Sequence, residues 1–140
     1  MKRFGFPSLR HAVTMLRIVT ALLFMAHAAV RIVLGTIPQF GAAMESFGFP
    51  QGEALVWAIT LAELAAGTAM ILNRYVTQAA AVLFMIAATG IALIHRHFGW
   101  FVGEHGTGGS EYSVALMAAL IVVIAADRDA KASLFDPSPA

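Results

Sequence analysis

Four long apolar stretches constrain this chain more than any other feature of its sequence. They cover residues 12–34, 53–72, 76–95 and 112–126. Crossing about 30 Å of hydrocarbon takes about 20 apolar residues, and a single segment that satisfies its own backbone groups in lipid is a helix. The last stretch is short unless its helix begins near Ser110, which we expect to act as its N-cap. The sequence therefore predicts an all-α integral membrane four-helix bundle.

The composition agrees with lipid as the main solvent. Of the 140 residues, 59% are hydrophobic and 12% are charged, and the mean hydropathy is +0.78. A soluble domain has about 45–50% apolar and about 25% charged residues. No dense basic run interleaved with aromatic residues indicates nucleic-acid binding. The chain has no cysteine, which excludes disulfides, thiolate metal sites and dithiol chemistry of its own, so another molecule must carry any electrons.

The basic residues predict an orientation, because Lys and Arg in short loops are retained on the cytoplasmic side of the membrane. In a four-span arrangement Arg96 lies on the side opposite to all of the following: Lys2, Arg3, Arg10, Arg74, Arg128 and Lys131. We therefore expect both termini to be cytoplasmic. The predicted parts are a cytoplasmic N-terminal segment at 1–11, the transmembrane domain at 12–126 and a polar, disordered cytoplasmic tail at 127–140.

The connections between the stretches differ in length. Residues 73–75 form a tight turn, which makes the second and third helices antiparallel neighbours. Residues 36–52 contain glycine and proline, and residues 96–109 end in a glycine-rich run. Both patterns predict irregular segments or short interfacial helices.

A cleaved signal peptide is the alternative interpretation of the first stretch. Lys2 and Arg3 precede an apolar run that reaches a small-residue pattern at 26–28. Against cleavage, the apolar run continues to residue 34, and it contains Arg17 and Arg31, which a disposable signal does not need. The sequence therefore favours a retained membrane helix.

Ionisable residues inside the predicted helices indicate a candidate polar pocket. A charged side chain at the bilayer centre costs about 2.5–3.5 kcal/mol on insertion scales, so each one needs a partner or a function. At about 100° per residue, three of them share one face of the first helix. The predicted pocket consists of Arg17, His27, Arg31, Glu63, His95 and Glu111.

Depth within the bilayer predicts which of these residues meet. With a rise of about 1.5 Å per residue, His27 comes about 5 Å to the outer side of the midplane and Glu63 close to it, so these two can meet. Arg31 and Glu111 both come about 11–12 Å toward the outer surface, beside His95. Two interpretations stay open. The pairs either fix helix register, or they line an outward-opening pocket that binds a small molecule or relays protons.

The histidines and glycines after the third stretch are weaker signals. His95, His97, Glu104 and His105 resemble a metal cluster, but residues two apart point to opposite sides of a helix and could ligate together only in an extended segment. The glycine run follows a membrane helix instead of a strand and lacks the lysine of a phosphate-binding loop. We therefore predict no metal site and no nucleotide site.

Several short motifs occur in a specific order and spacing. In chain order they are Leu16-Arg17, His27 with Arg31, Phe47-Gly48-Phe49-Pro50, Glu63 with Gly67, Arg74, and Gly108-Gly109-Ser110-Glu111-Tyr112. Over residues 16–134 the chain thereby resembles the DoxX-like membrane proteins, which are small four-helix bundles of bacteria and archaea. It departs from their pattern at 125–128, where a glycine-rich segment is common. The resemblance implies a multi-pass protein of the bacterial inner membrane.

The resemblance also implies a functional context, although family membership does not fix an activity. Some DoxX-like proteins are associated with thiosulfate:quinone oxidoreductases or other membrane oxidoreductase complexes. This implies a membrane subunit of a quinone- or thiol-linked redox system, in preference to an enzyme acting alone, with a quinone as the implied cofactor. The expected partners are the lipid bilayer, an oxidoreductase and a second copy of the chain. The alternative is a non-catalytic assembly partner or small-solute transport protein whose buried ion pairs are structural.

Overall fold

The computed structural model describes residues 7–103 and 108–135. Within them the chain forms five α-helices and a 3-10 helix at His95–Phe98. The α-helices are α1 (Leu9–Val33), α2 (Ile37–Ser46), α3 (Gly52–Ile71), α4 (Val76–Leu93) and α5 (Glu111–Phe135). The all-α prediction is confirmed for these residues. Parts of three predictions lie outside the described residues: the basic Lys2 and Arg3, the cluster members Glu104 and His105, and the end of the tail at 136–140.

The four long helices close into a ring. Helix α1 contacts α3 and α5, and α4 contacts the same two helices, while α2 packs against α3. The shared core contains Leu83 of α4 and Leu120 of α5, both fully buried. A smaller core of Ile37, Met44 and Val56 joins α2 to α3. Helix α2 therefore packs over the N-terminal half of α3.

Most apolar side chains of the long helices face away from the protein. Helices α1, α3 and α4 are long and apolar enough to cross a membrane, and only 22%, 33% and 28% of their apolar windows are buried inside the protein. So much outward-facing apolar surface requires lipid around it. The predicted fourth membrane helix at 112–126 lies within α5, between the charged Glu111 and Asp127. Its crossing of the membrane stays a prediction.

Left-handed residues end three of the helices. After α1, Gly35 at φ 63° and Thr36 donate their N–H groups to the carbonyls of Ile32 and Arg31, both at 3.1 Å. In this Schellman arrangement a left-handed residue satisfies carbonyls that the helix leaves unpaired. The same two bonds end α2 and α3, where the left-handed residues are Gly48 and Asn73.

Two helix starts show how caps set the boundaries. Helix α1 begins at Leu9, three residues earlier than predicted, because the hydroxyl of Ser8 accepts the N–H of His11 at 3.4 Å. Helix α5 begins at Glu111, as expected. The hydroxyl of Ser110 donates to the carbonyl of Gly99 at 3.5 Å, so this side chain ties the preceding loop to the start of α5. Among the described residues it accepts no N–H of the first turn, so the predicted N-cap contact is not formed.

Asp127 ties the far part of α5 to the beginning of α4. Its Oδ2 accepts hydrogen bonds from the N–H of Thr77 at 3.2 Å, the hydroxyl of Thr77 at 2.6 Å and Nζ of Lys131 at 2.6 Å. Thr77 lies in the first turn of α4, where N–H groups lack partners and a negative charge is favoured. Helix α5 continues to Phe135, so the prediction of disorder from Asp127 onward is wrong for residues 127–135.

The tether at Asp127 makes the stability of this end pH-dependent. Burial acts to raise the pKa of Asp127, but hydrogen bonds from Lys131 and Thr77 outweigh it and hold the pKa below the ordinary value of 3.8. A depressed pKa stabilises the fold above the unfolded-state value, and this contribution is lost as the pH falls through the folded-state value. In detergent we expect the Tm of the wild-type protein to fall as the pH drops below about 3.8. The Asp127→Asn variant should lack the portion of this decrease that comes from protonation of Asp127. The exposed Asp129→Asn is the control, and an unaltered pH profile in Asp127→Asn would contradict the tether.

Helices α2 and α3 touch backbone to backbone. A Cβ at Gly52 would overlap the carbonyl oxygen of Gly41, and a Cβ at Gly41 would lie 2.6 Å from the Cα of Glu53. Glu45 completes the contact, because its Oε1 accepts the N–H of Gly52 at 3.1 Å. No side chain other than hydrogen fits at either glycine without moving α2.

We therefore expect Gly52→Ala to destabilise the protein by about 1–3 kcal/mol, the usual cost of overpacking, although alanine is the better helix former. Thermal unfolding in detergent measures the effect. Gly108→Ala is the matched control, since nothing lies within 4 Å of a Cβ there. Equal stability of the two variants would show that α2 shifts at no cost.

Candidate functional site

A buried ion pair joins α1 to α3. Nη1 of Arg31 lies 3.0 Å from Oε2 of Glu63 and donates a hydrogen bond of 2.7 Å to the hydroxyl oxygen of Thr60. Arg31 is 9% exposed and Glu63 is 2% exposed. The hydroxyl of Thr60 donates in turn to the carbonyl of Val56 at 2.7 Å, which leaves its lone pairs for Arg31. The pair therefore places opposite charges in contact between two apolar helices, as a low-dielectric environment requires.

The direction of helical side chains explains why these two residues meet. Side chains lean toward the N-terminus of their helix. Helices α1 and α3 run antiparallel, so Arg31 leans from the last turn of α1 toward the middle of the bundle, and Glu63 leans the opposite way to meet it. One turn after Glu63, a Cβ at Gly67 would overlap the side chain of Met25, so the glycine lets α1 approach. Glu63 is thereby paired with Arg31 instead of the predicted His27.

Helix α2 adds a third contact to the arginine. The ring centroid of Phe40 lies 5.9 Å from Cζ of Arg31, within the range of a cation–π interaction. The carbonyl of Arg31 accepts the N–H of Thr36 at 3.1 Å and its hydroxyl at 3.4 Å, just before α2 begins. Arg31 thus connects three helices through its side chain and its backbone.

Two histidines lie beside the ion pair. His27 is one turn before Arg31 on α1, and both Arg31 and His95 lie within electrostatic range of it. The ring of His95 folds back onto α4, where a Cβ at Gly90 would lie 3.5 Å from its Cδ2 and Nε2. Burial lowers the pKa of His95 below its usual value, which favours the neutral form of the ring. Within the described residues, neither His27 nor His95 makes a side-chain hydrogen bond.

The other two predicted pocket residues lie elsewhere. Glu111 Oε1 accepts the N–H of Val102 at 3.1 Å, so it holds the loop before α5, and the expected contact with Arg31 is replaced by the Arg31–Glu63 pair. Arg17 donates to Oδ1 of Asn73 at the turn between α3 and α4. Arg17 and Arg31 are about 21 Å apart along α1, at about 1.5 Å per residue. The two residues therefore belong to different sites, although they share a helix face.

Sequence reasoning missed two contributors to the site. Thr60 lies three residues before Glu63 and therefore on the same helix face, and a threonine one turn from a buried glutamate was the signal that could have found it. Phe40 gave no such signal, because it is one of 10 phenylalanines and lies in a connection expected to be irregular or interfacial.

The arrangement offers mainly hydrogen-bond donors. Arg31 has further N–H groups besides those that face Thr60 and Glu63, and each imidazole can donate at least one hydrogen bond. Glu63, the one carboxylate among the described residues of the site, is already neutralised by Arg31. Among the described residues, no three His, Asp or Glu side chains converge as a metal site. These groups suit a ligand that presents acceptor oxygens.

A double-mutant cycle tests the ion pair. Arg31→Met leaves the Glu63 carboxylate buried without its partner, and we expect a loss of about 3–5 kcal/mol. Adding Glu63→Leu should recover most of that loss, because the apolar pair needs no hydration. Unfolding in detergent gives the coupling free energy. The control cycle combines Arg31→Met with Glu111→Gln, whose effects should add within about 0.5 kcal/mol. Additive losses for Arg31 and Glu63 would show that the pair contributes nothing.

Comparison with known proteins yields one match. Residues 12–96 match the model of a protein family described as DoxX, which is more than half of the chain. The matched range contains five of the six predicted pocket residues: Arg17, His27, Arg31, Glu63 and His95. No curated protein matches the chain, and no solved structure matches it.

Proposed function

The chain belongs to the DoxX family, and we propose that it is the membrane component of a quinone- or thiol-linked redox system in the bacterial inner membrane. Its three apolar helices and its family make it a multi-pass membrane protein. The single observation that carries the redox proposal is the buried Arg31–Glu63 pair with two histidines beside it. Intramembrane ionisable groups usually mark ligand or proton pathways.

In this proposal α5 is the fourth membrane helix. Its stretch at 112–126 has no charged residue, and α5 completes the ring with three apolar helices. The basic residues near the α3–α4 turn, the start of α1 and the far part of α5 support cytoplasmic termini. The Arg31–Glu63 site then lies toward the outer half of the bilayer.

A quinone headgroup suits the chemistry of this site. Reduction of a quinone to a quinol takes up two electrons and two protons. The electrons would come from an oxidoreductase partner, because the chain contains no cysteine to carry them. Arg31 and His27 would donate hydrogen bonds to the carbonyl oxygens, and Glu63 and His95 would hand on the protons. His27 is exposed on the surface of the bundle, so a lipid-soluble ligand can reach it from the bilayer.

The Glu63→Gln variant tests this proposal, because it keeps the shape of the side chain but cannot take up and release a proton as a carboxylate does. Proton transfer by a positioned side chain contributes about 10²–10⁴-fold to a rate, so we expect quinol formation in membranes to fall about 10²-fold or more. Glu53→Gln is the matched control, an exposed glutamate on the same helix. Wild-type rates in Glu63→Gln, together with purified protein that carries no quinone, would refute the proposal.

A second candidate is a non-catalytic role in assembly or small-solute transport. The observation that favours it is that Arg31 connects α1, α2 and α3, which is what a purely structural pair would do. The Arg31→Met/Glu63→Leu variant separates the two candidates. If it folds and keeps quinone-linked activity, the pair is structural. Failure of the wild-type protein to recover an oxidoreductase in a pull-down, with altered solute permeability on deletion, would support this second role.

A further inference from the structure

The two ends of the bundle carry opposite formal charge. The end that contains the α3–α4 turn, called the basic end here, has five basic and two acidic described residues: Arg10, Arg17, Arg74, Arg128, Lys131, Asp127 and Asp129. The opposite end has one basic and three acidic described residues: Arg96, Glu45, Glu53 and Glu111. The formal charge is therefore +3 at the basic end and −2 at the other.

Most of the positive charge at the basic end has no partner among the described residues. The one salt bridge there joins Lys131 to Asp127, and Arg17 donates to a neutral amide. No described carboxylate lies within 4 Å of the four arginines Arg10, Arg17, Arg74 and Arg128. By sequence, residues 1–6 and 136–140 contain two basic residues and one acidic side chain. The described part of the basic end therefore presents guanidinium groups that are available to an anionic ligand.

Two helices extend beyond the α3–α4 turn at this end. The hydrogen bond from Arg17 to Asn73 places Arg17 level with the turn, and the bonds between Asp127 and Thr77 do the same for Asp127. Eight residues of each helix lie farther out: 9–16 of α1 and 128–135 of α5. At about 1.5 Å per residue, each extension is about 12 Å long.

These extensions are long enough to pass through a lipid headgroup layer. A bilayer of about 40–45 Å with a hydrocarbon core of about 30 Å has about 5–8 Å of headgroups on each side. If the α3–α4 turn marks the edge of the hydrocarbon, Arg74 lies at the base of that layer. Arg128, the first residue of the α5 extension, lies within it as well, and the side chains of Arg74 and Arg128 are exposed. Arg10 lies seven residues farther out than Arg17, or about 10 Å, and is therefore past the headgroups. Arg74 and Arg128 are thus at the depth of the phosphates.

We propose that the basic end binds the headgroups of anionic phospholipids, with phosphate oxygens contacting Arg74 and Arg128. Guanidinium groups bind phosphate through paired, charge-assisted hydrogen bonds. The step between the extensions and the turn exposes these arginines to lipid from the side. Their depth favours a lipid over an acidic protein, which would approach from the aqueous phase and meet the tips of the extensions first.

The test measures lipid retention by the full-length protein in nanodiscs that contain phosphatidylglycerol and phosphatidylcholine. We expect the wild-type protein to retain phosphatidylglycerol preferentially. Each arginine removed should lower the affinity about fivefold, so Arg74→Gln/Arg128→Gln should lower it about 25-fold. Arg96→Gln at the opposite end is the matched control and should change it less than about twofold. Unfolding in pure phosphatidylcholine verifies that the variants fold equally well.

Ionic strength gives a second readout. Raising it from about 0.01 M to about 1 M shortens the Debye length from about 30 Å to about 3 Å, and the preference for phosphatidylglycerol should disappear. Equal retention of both lipids by the wild-type protein would overturn the proposal, and so would an equal loss in Arg96→Gln. Unchanged lipid retention in the double variant, with loss of an acidic protein that co-purifies with the wild type, would assign the surface to that protein instead.

Discussion

Lipid cannot hydrate the charges of Arg31 and Glu63, and their mutual neutralisation is the interaction on which the packing of α1 against α3 depends. Either charge alone would be expensive at this position, whereas together they are tolerated. The pair also fixes how the two helices slide against each other, because only one register brings the two side chains together. The backbone approach at Gly67 is possible in that same register. Charge pairing and close packing therefore select the same arrangement.

The remaining contacts show how such a bundle holds together without a hydrophobic drive between its helices. Lipid tails are as apolar as leucine, so association depends on close packing and on polar contacts between helices. The structure contains both. Backbones meet where α2 crosses Gly52, and polar side chains tie the α3–α4 turn to both neighbours, from Arg17 on one side and Asp127 on the other. These tethers lie at one end of the bundle, and the ion pair lies toward the other.

The sequence predicts the helices well, because the bilayer sets their length and composition. It also identifies Arg31 and Glu63, since charges inside apolar stretches stand out. It does not predict their pairing, because Cα depth alone puts Arg31 beside Glu111 and ignores the lean of side chains toward the helix N-terminus. The helical region after Asp127 was missed for a different reason. Its partner Thr77 lies 50 residues away in the chain, and local composition carries no trace of that contact.

The position of Arg31 at the very end of α1 has a mechanical consequence. Its carbonyl holds the N–H and hydroxyl of Thr36, and its guanidinium holds Glu63, so one residue anchors both the connection to α2 and the charge inside the bundle. A neighbouring protein that pulled α2 aside would strain the last turn of α1 and shift the guanidinium away from the carboxylate. Force applied at the periphery would thereby reach the interior without any molecule having to enter it.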